Sequence, residues 1–137
     1  MNEVADGIFA GTVSDAEDES MLREHCVDTV VSLTHDDPDT GPVARVDVPM
    51  LDGPQNEYES FVDAAETVIE RREAGQRVLV HCSAGASRSP AVAAAAMTRL
   101  TDRDLGEAFE QVLARRSEVD PHDALVRQAA TFATQDR

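Results

Sequence analysis

An α/β fold is expected from three features of this chain. Short runs of β-formers, such as Val27–Leu33 and Arg77–His81, alternate with longer segments that place apolar residues at helical spacing. One of those segments, Pro90 to Leu100, is apolar nearly all round, which marks a helix buried at the centre. No repeats, linkers or low-complexity tracts interrupt the 137 residues, so one domain over residues 1–137 is expected, large enough for a real core.

In chain order, Ser14-Asp15-Ala16-Glu17 has a capping-box pattern and opens a first helix carrying Met21 and Leu22. The strand Val27–Leu33 follows, with Cys26 just before it and no basic partner beside it, so Cys26 reads as core packing. Val46-Asp47-Val48 alternates as a strand with Asp47 on its solvent face. A helix from about Asn56 to Ala74 puts Tyr58, Phe61, Val62, Ala65, Val68 and Ile69 on one face, and Gly75 ends it. Strand Arg77–His81 runs into a tight turn and a helix beginning at Ser89-Pro90. Leu105, Ala108, Phe109, Val112 and Leu113 then form an amphipathic stripe. Pro121 opens a last helix through Leu125, Ala129 and Phe132.

Composition narrows the setting. Acidic residues number 27 against 12 basic ones, for a net charge of −15, and every basic residue is arginine. Lysine is common in ordinary domains. An acidic, lysine-free, alanine-rich chain resembles proteins of extreme halophiles; an acidic protein from a GC-rich genome is the alternative. The charge disfavours nucleic acid as a partner. It would also repel a phosphate dianion, but at about 1 M salt the Debye length is only about 3 Å and that repulsion is confined to contact range. No run of eighteen apolar residues exists and the first residues lack a signal-peptide pattern, so no membrane span or export is expected. Two cysteines make no disulfide framework, which places the chain in a reducing cytoplasm. His25, His35 and His122 are too scattered for zinc, so neither metal nor cofactor is expected.

The chemistry concentrates in His81-Cys82-Ser83-Ala84-Gly85-Ala86-Ser87-Arg88-Ser89. A strand leads in and a helix leads out, so the turn sits at a helix N-terminus, where unpaired N–H groups and the helix dipole attract anions. The same field stabilises negative charge on sulfur, making Cys82 a candidate nucleophile. Gly85 lets the backbone curl until the N–H groups of Ser83, Ala84, Gly85, Ala86 and Ser87 converge, and Arg88 adds a planar fork for two phosphate oxygens. Sulfur attack on a phosphate monoester fits such a cup. The leaving oxygen then needs a proton from an acid on the opposite side. Asp52 lies in the loop Pro49-Met50-Leu51-Asp52-Gly53-Pro54, where Pro and Gly mark irregular backbone. Asp47 is its rival, and Asp36, Asp37 and Asp39 read as a solvated loop.

The string HCSAGASRS resembles the Cys-x5-Arg-Ser signature of the cysteine-dependent phosphatases, in particular the dual-specificity branch. The resemblance extends along the chain. Val4–Thr12 resembles the family's first strand, Val27–Leu33 the second and Ala44–Pro49 the third. Pro121-His122 followed by Gln128 is similar to its last helix, where Pro-Asn is commoner. The resemblance implies a central four- to five-stranded, mostly parallel sheet with helices on both sides. It implies Asp52, thirty positions before Cys82, as the acid, and His81 as a loop organiser. Ser89 is implied to hydrogen-bond the sulfur and assist hydrolysis of the phosphoenzyme; capping the following helix is its other reading.

Low-molecular-weight tyrosine phosphatases carry the cysteine before the acid, the reverse of the order here. Classical tyrosine phosphatase domains are larger and deeper. The loop has no lysine for extra phosphates, which disfavours polyphosphorylated lipids. Ala86, where a larger Ile or Val is usual, thins the loop's packing. The expected substrate is a phosphorylated protein bearing phosphotyrosine, phosphoserine or phosphothreonine, attacked by a monomeric enzyme. The alternatives are a phosphatase for a non-protein monoester, a non-catalytic phosphoprotein-binding module, and thiol redox chemistry in which Cys26 resolves Cys82.

Overall fold

The computed structural model describes residues 1–135; the expected domain limit at residue 137 lies outside them. Eleven elements run in the order β1 (Asn2–Ala5), β2 (Ile8–Gly11), α1 (Val13–Ala16), α2 (Glu19–Glu24), β3 (Thr29–Ser32), β4 (Ala44–Asp47), α3 (Tyr58–Glu73), β5 (Val78–His81), α4 (Arg88–Leu100), α5 (Leu105–Arg115) and α6 (Asp123–Thr134). The sheet has five strands in the order β1-β2-β5-β3-β4, antiparallel at the β1 edge and parallel elsewhere. β5 is central. Its last residue, His81, is level with Gly11 of β2 and Ser32 of β3, and Ser32 is level with Asp47 of β4. All four parallel strands therefore end on one line, and the chain leaves β5 from its middle. In open parallel sheets that edge is where ligands bind.

Period-2 alternation assigns the two faces. Phe9, Val30 and Leu79 pack with Ala16, Leu22 and Val27 under α1 and α2. Ile8, Ala10, Val31, Val78 and Val80 face the larger core against the remaining helices. At its centre is α4, buried continuously from Ser89 to Met97 and packed against α3, α5 and α6. Its run of alanines costs little side-chain entropy and lets neighbouring helices approach. Phe61 and Phe132 meet edge to face, with centroids 6.3 Å apart, and the Arg99 guanidinium lies 3.7 Å from the Phe132 ring centre. α3 closes as expected, with Gly75 at φ +82 after the Ala74 cap. Among the described residues no helix is long and apolar enough to cross a membrane.

Several expectations need correction. Val4–Thr12 is not one strand: Asp6-Gly7 turns it into a β1–β2 hairpin, with Gly7 at φ +74. The first helix is two short ones. Its capping box is Thr12 with Asp15, whose main-chain and side-chain groups bond reciprocally at 2.9 and 3.1 Å, and Asp18 caps α2 separately. Cys26 is exposed and not packed in the core, because it takes φ +56 just past the His25 cap, where the chain reverses out of α2. Leu113 is 53% exposed and falls off the apolar stripe of α5. α4 begins at Arg88, so Ser87 holds the N-cap position and Ser89 lies inside the first turn. The last helix starts at Asp123, with the His122 ring accepting from Ala124 N–H at 3.0 Å.

Candidate active site

The turn between β5 and α4 closes around the Cys82 sulfur. Cys82 is 2% exposed, and its Sγ lies 3.3 Å from Ser89 Oγ and 3.4 Å from the Ser89 main-chain nitrogen. Two donors from the first turn of α4 thus face the sulfur, and both stabilise negative charge there. Ser89 is fully buried, so its hydroxyl has no solvent alternative.

Gly85 sets the curvature. It sits at φ +68, where an L side chain is strained. A Cβ there would stand 2.8 Å from the Gly11 carbonyl group and 2.5 Å from Arg116 Nη2. Arg116 is the contribution that sequence reasoning missed. It is 7% exposed and lies at the end of α5. Its Nε donates to Gly85 O at 2.8 Å, its Nη2 to Ala84 O at 3.2 Å and its Nη1 to Asn2 Oδ1 at 2.8 Å. Asp120 N–H adds a bond to Ala86 O at 2.7 Å. Three successive loop carbonyls are therefore held outward by the segment between α5 and α6. A guanidinium buried behind the loop also adds positive charge to an anion site.

Arg88 is fixed at the rim. Nη1 donates to Met50 O at 2.9 Å and, at 3.4 Å, to Leu33 O; Nη2 donates to Ser83 Oγ at 3.0 Å. These anchors come from the loops after β3, β4 and β5, so the orientation of the guanidinium fork is set by the protein itself. Ser83 and Ala84 are exposed at the mouth.

Asp52 is brought to this loop and Asp47 is not. Asp52 Oδ1 accepts from Ser87 Oγ at 2.5 Å, and the same Ser87 oxygen accepts from His122 N–H at 2.8 Å. The Asp52 loop is tied down from its far side by Asn56. Its Oδ1 accepts from Leu51 N–H at 2.9 Å, and it exchanges two hydrogen bonds with Gln128 on α6, at 2.8 and 2.7 Å. Asp47 instead pairs with Arg45 at 3.0 Å on the outer strand, its side chain half exposed. Asp37 pairs with Arg45 as well, and Arg45 also donates to Pro38 O.

His81 is completely buried. Burial holds its imidazole below the ordinary value of about 6.5, with Arg88 and Arg45 acting in the same direction. The neutral ring fits its partners. Nδ1–H points to Cys82 O at 3.4 Å and Nε2 accepts from Ser32 Oγ at 2.7 Å, which pins the base of the loop to β3. Unfolded, the same imidazole takes a proton at about pH 6.5, whereas the folded one takes it only at lower pH. Its stabilising contribution is therefore complete above that value and is lost as pH falls toward the folded value. In thermal melts from about pH 7.5 down to about 5.5, the wild-type Tm should fall further than that of His81→Asn. Parallel slopes would contradict this role.

The fold sets the two cysteines toward opposite ends of parallel strands, Cys26 before β3 and Cys82 after β5, which argues against a redox pair. Asp28, two residues after Cys26, bonds Arg77 just ahead of β5, whereas Cys82 follows the far end of that strand. The five residue steps from Arg77 to Cys82 span about 16 Å at strand rise. A disulfide needs Cα atoms within about 7 Å.

Comparison with known proteins agrees with this geometry. The family model of the dual specificity phosphatase catalytic domain matches residues 8–135. Human dual specificity protein phosphatase 22 is 33% identical over 135 residues, covering 96% of this chain and 73% of the relative. Drosophila melanogaster dual specificity protein phosphatase Mpk3 is 30% identical over 135 residues; the match takes in 95% of this chain but only 33% of that longer protein. The crystal structure of human DUSP28 superposes with a TM-score of 0.88 at 26% identity, covering 97% of this chain and 95% of that one. A cysteine-bearing loop at the centre of a parallel sheet edge, matched along almost the whole chain, leads to one assignment: the chain belongs to the dual specificity phosphatase family, the cysteine-dependent protein phosphatases.

Proposed function

We propose that residues 1–137 form a single catalytic domain that hydrolyses phosphotyrosine, phosphoserine and phosphothreonine monoesters through a cysteinyl-phosphate intermediate. The observation that carries this reading is the Cys82 sulfur, held under the Ser89 hydroxyl and N–H at the base of a loop that also carries Arg88 and that binds Asp52 of the loop after β4 through Ser87. In the first displacement the S–P bond forms as the ester P–O bond breaks. Arg88 and the N–H groups of residues 83–87 hold the equatorial oxygens, and Asp52 gives its proton to the leaving oxygen. In the second, Asp52 takes a proton from water, the new P–O bond forms and the P–S bond breaks. The Ser89 hydroxyl stabilises the departing thiolate.

A rim built from exposed Ser83 and Ala84 supports a shallow cleft open to short and long phosphorylated side chains alike. A phosphoprotein is the substrate this reading implies; a non-protein monoester is its alternative. The presence of Cys82, Arg88 and an acid together argues against a purely binding module. The lysine-free composition with a net charge of −15 supports an enzyme of a halophilic archaeon with no nucleic-acid partner, and two cysteines without a disulfide framework support a cytoplasmic setting; the enzyme is read as a monomer.

The test is hydrolysis of p-nitrophenyl phosphate and of a phosphopeptide panel in molar KCl. Asp52→Asn should lower kcat by about 10²-fold while KM changes little, the scale of a lost general acid. An unchanged rate would remove Asp52 from the acid role. Hydrolysis of small phosphorylated metabolites but no phosphopeptide would favour the non-protein alternative.

A further inference from the structure

We infer that Ser87 is a positioning residue that dictates which oxygen of Asp52 carries the proton delivered to the leaving group; this rests on the phosphatase reading above. Ser87 is only 9% exposed, and its hydroxyl lies between two protein groups. On one side is His122 N–H at 2.8 Å, on the other Asp52 Oδ1 at 2.5 Å. A main-chain amide can only donate, so the His122 contact takes up a lone pair of Ser87 Oγ. The Ser87 hydrogen is left for an acceptor, and among the described residues the acceptor facing it is Asp52 Oδ1. The spacing is that of an O–H bonded to a charged oxygen.

The consequence is an asymmetric carboxyl group. Oδ1 is occupied as an acceptor, so a neutral Asp52 carries its proton on Oδ2. Among the described residues that oxygen has no hydrogen-bond partner, and the Asp52 side chain is exposed. Every neutral Asp52 is then protonated on the atom able to reach a leaving oxygen, and in the second displacement the same atom accepts the proton from water. Without the Ser87 hydrogen the proton would divide between both oxygens and the carboxyl would rotate, so fewer molecules would present a competent acid. His122 acts here through its main chain, held by the turn into α6. Its side chain is not part of the device.

The experiment compares wild type with Ser87→Ala, Ser87→Cys and Ser87→Thr on a series of aryl phosphates whose phenols run from acidic to basic. An acidic phenol leaves without help and a basic one requires the proton. With Ser87→Ala, kcat should fall about tenfold at the basic end and less than about threefold at the acidic end, a fraction of the full effect of a general acid. KM and inhibition by inorganic phosphate should stay as in wild type, and Ser87→Thr should restore the flat dependence. Ser87→Cys keeps the size but donates weakly, so it should give an intermediate slope, and it serves where the alanine variant does not fold. A uniform loss across the series, weakened phosphate inhibition, or a wild-type slope in Ser87→Cys would overturn the inference while leaving the phosphatase reading intact. A wild-type enzyme inert on every substrate would overturn the phosphatase reading itself.

Discussion

Cys82→Ser is expected to lower turnover of p-nitrophenyl phosphate by about 10⁴-fold or more, the order seen when a covalent nucleophile is removed. The reason is local. An alcohol oxygen replaces the sulfur at the same place, beneath the Ser89 hydroxyl and N–H, but an alcohol does not release its proton near neutral pH, and the contacts of that position among the described residues are to Ser89, which is no base. The binding groups are untouched. Arg88 keeps its anchors on Met50 and Leu33, and Arg116 keeps the loop carbonyls outward. Inorganic phosphate should therefore still bind with an affinity close to that of the wild type. Loss of phosphate binding along with activity would mean that the loop had collapsed, and substantial residual turnover would remove Cys82 from the mechanism.

Gly85→Ala should disable the site through the backbone. Holding an alanine at φ +68 costs about 1–2 kcal/mol in itself. The added methyl would also stand 2.8 Å from the backbone of Gly11, which cannot move because Gly11 is bonded into β2 beside β5. Arg116 could swing aside, but it would then release Gly85 O and Ala84 O. Either response turns loop N–H groups away from the phosphate. Both kcat and phosphate affinity should fall, kcat by about 10²-fold, the scale of losing preorganised donors. A melt should show destabilisation of about 1–3 kcal/mol. Wild-type phosphate affinity in this variant would show that the curvature at Gly85 is not needed.

The contrast between these residues and Arg116 shows what could be read before the fold was known. Strand β5, the Cys82 loop and α4 are contiguous, so their relation is local, and β-formers running into small residues and then alanines display it directly. Asp52 was legible because Pro49, Gly53 and Pro54 exclude regular structure around it. Arg116 reaches Gly85 across 31 residues, and Ser87 reaches Asp52 across 35. Nothing in the spacing distinguishes Arg116 from eleven other arginines, since its burial depends on how α5 packs. Ser87 stood among the phosphate-binding residues, yet its hydroxyl is committed to Asp52 and to His122 N–H. The β1–β2 hairpin did leave a signal: Asp6-Gly7 between β-formers is a two-residue turn sequence. The exposure of Cys26 left none, because the left-handed turn after α2 is made by a cysteine where glycine is usual.

The claim on which the account rests is that phosphate passes through the Cys82 sulfur. Acid-quenching the wild-type enzyme during turnover in molar KCl, followed by peptide mass spectrometry, tests it directly. The account predicts one phosphoryl group on the peptide containing Cys82, absent in Cys82→Ser and accumulating in Asp52→Asn. Steady turnover with that peptide unmodified throughout, or with the phosphoryl group on another residue, would contradict it.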